Sequence, residues 1–268
     1  ARRLRLRRWE KVGRWSLPLI VMIIALVLWD RIVAWNEIPH YILPGPARVW
    51  ASLTGDWGIL AEAAMLTARI TFLALILAVV GGAGLAILFN QSKMVEMSFY
   101  PYAVILQVTP VVSIAPLIFI YVDSKVAGML LCAWIVAFFP VLSSTTLGLN
   151  SVDHNLRDLY RIYGASRWQK LWLLQLPSAL PYFLGGLKIA GGLSLIGAVV
   201  AELVAGTGGV GAGLAARIQE AGYRLNIARM FAALALVAAM GVFIFAALSL
   251  VSHLLLRKWH ESALTRET

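Results

Sequence analysis

The chain has few charged residues and a single cysteine. Asp, Glu, Lys and Arg together make up only 13% of its 268 residues, whereas a soluble domain has about a quarter. This deficit excludes a single soluble domain, and a hydrophobic content of 60% with 10% aromatics excludes intrinsic disorder. Cys132 has no second cysteine to pair with, so neither a disulfide framework nor a cysteine metal site is possible, and we expect it to be a small buried residue. No metal site is predicted.

Long apolar stretches recur along the chain. A helical span requires about 20 mostly apolar residues, and such stretches cover residues 16–35, 66–90, 98–121, 126–149, 178–205 and 229–256. They must be helical, because open strands leave backbone groups unsatisfied in lipid. We therefore expect an all-α polytopic membrane protein with about six transmembrane helices, forming one transmembrane domain over residues 1–268.

Basic residues are divided unequally between the connecting segments. If the N-terminus is cytoplasmic, the inner segments carry 15 Lys and Arg and the outer segments carry 6. This asymmetry predicts that both termini are cytoplasmic, with a basic N-terminus at 1–15 and a tail at 257–268, in a bacterial inner membrane. The net charge of +10 is then explained by attraction to anionic lipid, and no nucleic-acid partner is expected.

The longest hydrophilic interruption on the cytoplasmic side, residues 150–176, has the pattern of two short helices. Asp153 can cap the first helix, and Gly164 can end it in a left-handed conformation. Ser166 and Gln169 have the spacing of a capping box at the start of a second helix. The segment therefore predicts a glycine elbow between two helices.

The charges of this segment give it a polar face. The second helix is expected to stop before Pro177, and Asp158 is placed to pair with Arg161, which lies one turn after Arg157. Such helices can form a docking surface, or they can form a solvated loop that only lies on the membrane. The residue pattern alone leaves both interpretations open.

The same segment resembles a known motif. The spacing over residues 158–177 is that of the EAA loop (E-A-A, three residues, G, nine residues, I-x-L-P) in the membrane subunits of binding-protein-dependent ABC importers. The chain departs from this pattern with Asp158 in place of Glu, Leu159-Tyr160 in place of two alanines, and Leu174 in place of Ile. The residues that the resemblance assigns to ATPase coupling are Asp158, Leu159, Tyr160, Arg161, Gly164, Ala165, Ser166, Arg167, Leu176 and Pro177.

Further short segments between about residues 40 and 260 resemble the permeases of the nitrate, sulfonate and taurine importer group. These segments are Ile42–Pro46, Leu180-Pro181, Gly186–Ile189, Ala201–Leu203, Gly208–Gly211 and Lys258–Glu261. The resemblance implies a MetI-like permease fold whose coupling helix docks on a separate cytoplasmic ATPase, which would bind ATP and Mg. It also implies a second permease copy, in a homodimer, and a periplasmic or extracellular binding protein that delivers a small solute. The substrates of the group include nitrate, sulfonates, taurine and heteroaromatic vitamin precursors.

The chain lacks the motifs of an enzyme. No G-x-x-x-x-G-K-[ST] sequence is present, so we expect no ATPase activity and no cofactor in this chain. Residues 206–211 satisfy G-x-G-x-x-G, yet they follow a membrane helix rather than a strand, which favours a tight turn over a dinucleotide site. A membrane-embedded enzyme and a secondary transporter remain the alternatives, and both leave the EAA-like loop unexplained.

Polar residues at membrane depth are candidates for a translocation pathway, because a charge there is costly unless it faces protein or water. The candidates are Lys188, Glu202, Gln107, Thr109, Ser113 and Tyr121. Lys188 and Glu202 lie on similar faces of the fifth span, about 21 Å apart along its axis. They either line the pathway or are structural charges satisfied by other helices. The polar residues around Pro110 either line a cavity or belong to a kinked packing helix.

Overall fold

Long apolar helices form the body of the chain, which a computed structural model describes over residues 2–206 and 211–257, with side chains from residue 16 onward. In these ranges all regular structure is helical. The helices are α1 (Arg2–Trp35), α2 (Pro46–Gly55), α3 (Trp57–Gln91), α4 (Lys93–Val108), α5 (Val111–Tyr121), α6 (Lys125–Asn150), α7 (His154–Ile162), α8 (Arg167–Lys170), α9 (Leu176–Ala205), α10 (Leu214–Tyr223) and α11 (Ile227–Leu256).

Five helical segments are long and apolar enough to cross a membrane. They are Ser16–Trp35 of α1, α3, α6, the segment Arg167–Ala205, and α11. A sixth span results if α4 and α5 are counted together. The prediction of an all-α protein with about six spans is therefore confirmed.

The third predicted span, residues 98–121, is not one continuous helix. It is divided into α4 and α5, whose axes differ by 102°. Thr109 ends α4 in an extended conformation (φ −74°, ψ 120°), and Pro110 precedes α5 with no backbone N–H to continue the helix. The segment therefore turns sharply, and we refer to residues 107–113 as the elbow.

The helices α6 and α9 form the centre of the packing, with α3 against both. A side chain at Gly186 of α9 would collide with Ser144 of α6, and one at Gly197 would meet the backbone of Ala133. The two glycines thus allow close contact between the helices, as in other membrane proteins. Cys132 lies in this core and is completely buried, as expected for a small apolar residue.

The second short helix does not stop before Pro177, contrary to the sequence prediction. A π-helical turn over Leu171–Gln175 joins α8 to α9. Its wider winding is seen in the bond from the Leu176 N–H to the Leu171 carbonyl, five residues back. Pro177 then falls in the first turn of α9, where a missing N–H is tolerated. The loop is consequently continuous with a membrane span.

Candidate functional site

The helix α7 is held in shape by caps at both ends. The Asp153 carboxylate accepts a hydrogen bond of 2.7 Å from the Asn155 N–H, and Gly164 has a φ of +65°. The Gly164 N–H donates to the Arg161 carbonyl and the Ala165 N–H donates to the Tyr160 carbonyl, which is the Schellman pattern. The predicted cap and the left-handed glycine are both confirmed.

A capping box starts the next helix, as predicted. The Ser166 N–H donates to Oε1 of Gln169 at 2.7 Å, and the Gln169 N–H donates back to Oγ of Ser166 at 3.2 Å. Together with the Schellman motif, this box fixes the direction of the chain on both sides of Gly164. We call α7, the glycine turn and α8 the coupling loop, residues 153–170.

One face of the coupling loop is strongly basic. Together with Asn90 and Gln91 at the end of α3, it encloses a cleft of about 420 Å³. The charged residues in this basic cleft are Arg157, Asp158, Arg161, Arg167 and Lys170. Four cations thus share the cleft with one carboxylate.

The expected ion pair between Asp158 and Arg161 does not form. Both side chains are exposed, and no salt bridge or side-chain hydrogen bond involves either of them among the described residues. An exposed pair of this kind gains little energy and loses side-chain entropy. Arg157 instead donates from Nη2 to the Leu149 carbonyl at the end of α6, at 3.2 Å.

The opposite face of the coupling loop is apolar and aromatic. A second cleft of about 400 Å³, the aromatic cleft, is lined by Leu159, Tyr160, Tyr163, Gly164, Gln169 and Leu173. Beside it, Ile162 and Tyr163 are each 81% exposed. An exposed apolar surface on a rigid loop is typical of a site that contacts another protein.

The remaining coupling residues predicted from the sequence differ in their burial. Ala165, Leu176 and Pro177 are half-buried, whereas Ser166 and Arg167 are exposed. Leu176 packs against a core cluster that includes Leu149 and Leu171. Leu176 therefore anchors the coupling loop to the spans, and Pro177 lies in the first turn of α9.

Glu202, a pathway candidate, lies inside the protein at the opposite end of the helices. It is 1% exposed. Its Oε1 accepts a bond of 2.7 Å from the Thr67 hydroxyl, and its Oε2 accepts one of 2.9 Å from the Ala215 N–H. The Leu214 N–H donates to Oγ1 of Thr67 at 3.0 Å.

These bonds give Glu202 a structural role in this chain. The helix α10 has no side-chain cap at Gly213, and Glu202 and Thr67 supply one from α9 and α3. The Glu202 carboxylate lies so close to Gly213 that a side chain at position 213 would collide with it. The arrangement matches the interpretation of Glu202 as a charge satisfied by a helix end.

The other pathway candidates are more accessible. Lys188 is half-buried in α9, and the elbow places Gln107, Thr109 and Ser113 near one another in the chain. Gln107, Ser113 and Tyr121 are exposed, and the Thr109 hydroxyl donates to the Ile105 carbonyl at 2.7 Å. In the elbow, Gln107 and Ser113 are therefore accessible, whereas Thr109 is half-buried.

Arg69 is a polar candidate that the sequence analysis did not select. It is exposed on α3, about 18 Å from the start of that helix, and no salt bridge involves it in the described part of the chain. Glu62 is exposed on the same side of α3, seven residues earlier. A lone charge within an apolar stretch is visible in the sequence, so Arg69 could have been predicted as a pathway candidate.

Two motifs of the sequence analysis fall partly or wholly outside the described residues. These are the glycine-rich run at 206–211, of which 207–210 are not described, and Lys258–Glu261. At the borders of the first gap, Gly206 and Gly211 have φ values of +76° and +100°. The Gly206 carbonyl accepts a bond of 3.0 Å from Nζ of Lys125, which ties the end of α9 to the start of α6.

The helical fold and the continuous loop-to-span connection are those of a polytopic membrane protein. Residues 78–259 match the family of the binding-protein-dependent transport system inner membrane component, and the chain belongs to this family. It is a permease subunit of an ABC importer.

The chain is similar to permeases of several importers over most of its length. The riboflavin transport system permease of Chloroflexus aurantiacus is 32% identical over 265 residues, which cover 95% of this chain and 92% of the relative. The taurine transport system permease of Escherichia coli is 30% identical over 86% of this chain and 85% of its own length. The formylaminopyrimidine transport permease of Halalkalibacterium halodurans is 29% identical over 72% of this chain and 78% of its own.

A solved structure shows the same fold. The inward-facing MetNI methionine ABC transporter superposes with a TM-score of 0.63 at 17% identity, covering 75% of this chain and 97% of the matched one. The MetI-like permease fold is thereby confirmed.

Proposed function

We propose that the coupling loop docks a cytoplasmic ATPase and passes its movement to the membrane spans. The observation that carries this proposal is the pair of caps around Gly164, which holds the exposed residues Ile162 and Tyr163 on a rigid turn. The aromatic cleft on that face offers apolar area to a protein groove. We propose that both termini lie on the same cytoplasmic side as the loop, as the distribution of basic residues predicts.

Movement of the coupling loop reaches the spans through an unbroken backbone. The segment Arg167–Ala205 is helical throughout, and α9 packs tightly on α6 through Gly186 and Gly197. A displacement of α8 therefore shifts α9 and α6 together. At its other end α9 carries Glu202, which holds α10, so the displacement extends to the external side.

We further propose that two copies of the chain form the importer. Two ATPases need two coupling loops, and closed two-fold symmetry is the most common arrangement of identical subunits. In the most apolar parts of Ser16–Trp35 and of α11, no residue is buried within this chain. Their apolar faces are available for lipid and for the second copy.

The pathway would lie between the two copies, where Gln107 and Ser113 of the elbow are exposed and Thr109 is half-buried. Lys188, Tyr121 and Arg69 are further candidates, since water in a central cavity lowers the cost of a charge. Glu202 would act at the rim of this pathway through its hold on α10.

For the substrate we propose a small heteroaromatic solute brought by the binding protein. The support is the resemblance to the riboflavin and formylaminopyrimidine permeases, together with the exposed Tyr121. Uptake assays with riboflavin, formylaminopyrimidine, taurine and nitrate distinguish this class from the sulfonate and nitrate classes.

Reconstitution tests the role of the chain. In liposomes, the chain alone is expected to hydrolyse no ATP, because the ATP and Mg site belongs to the partner. Addition of its ATPase and binding protein should give ATP-driven uptake. ATP hydrolysis by the chain alone that a mutation within it abolishes would contradict the proposal, and so would uptake driven by an ion gradient without the ATPase.

A further inference from the structure

We propose that the basic cleft binds the phosphodiester headgroup of an anionic phospholipid from the cytoplasmic leaflet. The cleft is a different face of the coupling loop from the aromatic cleft. The inference rests on the proposed cytoplasmic orientation of the loop, but it does not depend on the substrate or on docking of the ATPase.

The excess positive charge of the cleft favours binding of an anion. Arg157, Arg161, Arg167 and Lys170 line a space of about 420 Å³ with Asp158 as the single acid. In the described part of the chain, none of the four cations takes part in a salt bridge. Like charges held this close repel one another, and a bound anion removes that repulsion.

One of these cations is already held in place. Nη2 of Arg157 donates to the Leu149 carbonyl, while Nε of the same side chain has no acceptor among the described residues. The guanidinium therefore keeps donors that no protein group uses. Arginine presents its donors in a fork that matches two phosphate oxygens.

The position of the cleft at the end of the membrane spans favours a lipid rather than a protein as its occupant. Its walls include Asn90 and Gln91, the last residues before α3 ends, and Leu174 in the turn that leads into α9. These positions lie where membrane spans meet the headgroup layer. Next to them, Trp172 is 66% exposed, which suits contact with acyl chains, and tryptophan is enriched at this level.

The two faces of α7 then have separate tasks. Leu159 and Tyr163 belong to the aromatic cleft, whereas Arg157 and Arg161 belong to the basic cleft. A headgroup in the basic cleft would hold α7 against the membrane surface and leave the aromatic cleft free for the ATPase. Basic pockets between helices on the cytoplasmic side are suited to anionic headgroups.

The test is a titration of the full-length chain in neutral detergent with dioctanoyl-phosphatidylglycerol, followed by native mass spectrometry and thermal unfolding. Dioctanoyl-phosphatidylcholine and inorganic phosphate are the comparison ligands. We expect phosphatidylglycerol to bind and stabilise the chain, with an affinity that falls as salt rises. Equal effects of phosphatidylcholine, or of inorganic phosphate at the same concentration, would overturn the proposal.

Variants locate the site. The double variant Arg157→Gln/Lys170→Gln should bind phosphatidylglycerol roughly thirtyfold more weakly, since each cation near the surface contributes about one kcal/mol. The matched control Lys93→Gln/Arg257→Gln removes the same charge at the same end of the helices, outside the cleft, and should bind as the wild type does. The single variant Lys170→Gln gives the same direction of change if the double variant does not fold.

Copurification of the ATPase separates this inference from the proposed function. In bilayers of phosphatidylcholine alone, Arg157→Gln/Lys170→Gln should still copurify the ATPase. Loss of the ATPase with unchanged phosphatidylglycerol binding would assign the cleft to protein docking and overturn the lipid proposal, while the coupling function would stand. Equal lipid affinity of the double variant and its control would also overturn it.

Discussion

The two ends of the helices are stabilised in opposite ways. At one end, the coupling loop is held by bonds between near neighbours, such as Ser166 with Gln169. At the opposite end, the bonds join distant parts of the chain: Thr67 with Glu202 and Asp56 with Arg229. The difference shows that the loop keeps its own shape while its surface stays exposed, whereas α10 depends on the rest of the protein for its position.

This contrast fits the two tasks of a permease. A loop whose caps join near neighbours can be displaced as a unit by a partner without loss of those hydrogen bonds. The helix α10, which is capped by Glu202 of α9, has to follow when α9 moves.

The largest loss of stability is expected for Glu202→Leu. Leucine leaves the Ala215 N–H without its acceptor and removes the partner of Thr67, which should lower the free energy of unfolding by about 2–4 kcal/mol. The measurement is denaturant unfolding in detergent. Glu62→Leu, at an exposed position on α3, is the control and should have little effect. Equal losses in both variants would contradict the buried cap.

A smaller loss of stability, with a large loss of transport, is expected for Gly164→Val. A side chain there meets no neighbouring atom, so the cost is the left-handed backbone alone, about 1–2 kcal/mol. Uptake should fall by more than this loss of stability explains, because the valine changes the direction of α8. Gly164→Asn should retain more uptake, since asparagine tolerates this conformation. A valine variant with normal uptake would exclude a need for the glycine turn.

Loss of the ion pair between Asp56 and Arg229 tests a second long-range contact at the same end of the helices as Glu202. The pair is bidentate, at 2.7 and 2.8 Å, and each side chain is 22% exposed. Asp56→Asn should lower the free energy of unfolding by about 1–2 kcal/mol at pH 7. Asp123→Asn, at an exposed position, should leave it unchanged.

The same pair predicts a dependence on pH. The hydrogen bond from Arg229 lowers the pKa of the Asp56 carboxyl below its usual value. A lowered pKa in the folded state stabilises above the unfolded pKa of about 3.9, and this contribution is lost as pH falls through the folded value. The stability difference between wild type and Asp56→Asn should therefore be constant from pH 7 to about pH 5 and shrink below about pH 4. A difference that grows on acidification would contradict the assignment.

The smallest change in stability is expected for the double variant Asp158→Ala/Arg161→Ala. Both side chains are exposed and unpaired within the described residues, so the free energy of unfolding should change by less than about 0.5 kcal/mol. Uptake should nevertheless fall, because both residues line the basic cleft, whose occupant we propose to hold α7 against the membrane surface. Normal uptake with normal copurification of the ATPase would remove these residues from the coupling site.

The features predicted correctly from sequence are the local ones. The caps at Asp153, Gly164 and Ser166 depend on residues within a few positions, and the spacing shows them directly. The partners of Glu202 could not be predicted, because Thr67 lies 135 positions away and its contact depends on how α3 packs against α9.

The errors have a similar cause. Three prolines in the third predicted span predict a kink. The sequence alone does not show which proline causes it: the chain turns by 102° at Pro110, whereas Pro101 and Pro116 lie inside helices. Likewise, Pro177 marked an expected helix end, and the π-helical turn before it allows the helix to continue.

The most direct test of the central claim is a cross-link between the coupling loop and the ATPase. In a Cys132→Ser background, Ile162→Cys, at a position that is 81% exposed, would carry a maleimide-linked benzophenone, with Trp35→Cys, 90% exposed at the other end of the helices, as the control. Irradiation of the reconstituted importer should join the ATPase to the chain labelled at position 162 and not at position 35. A transport-active importer in which position 162 gives no cross-link to the ATPase, or in which position 35 gives the same one, would contradict docking through this loop.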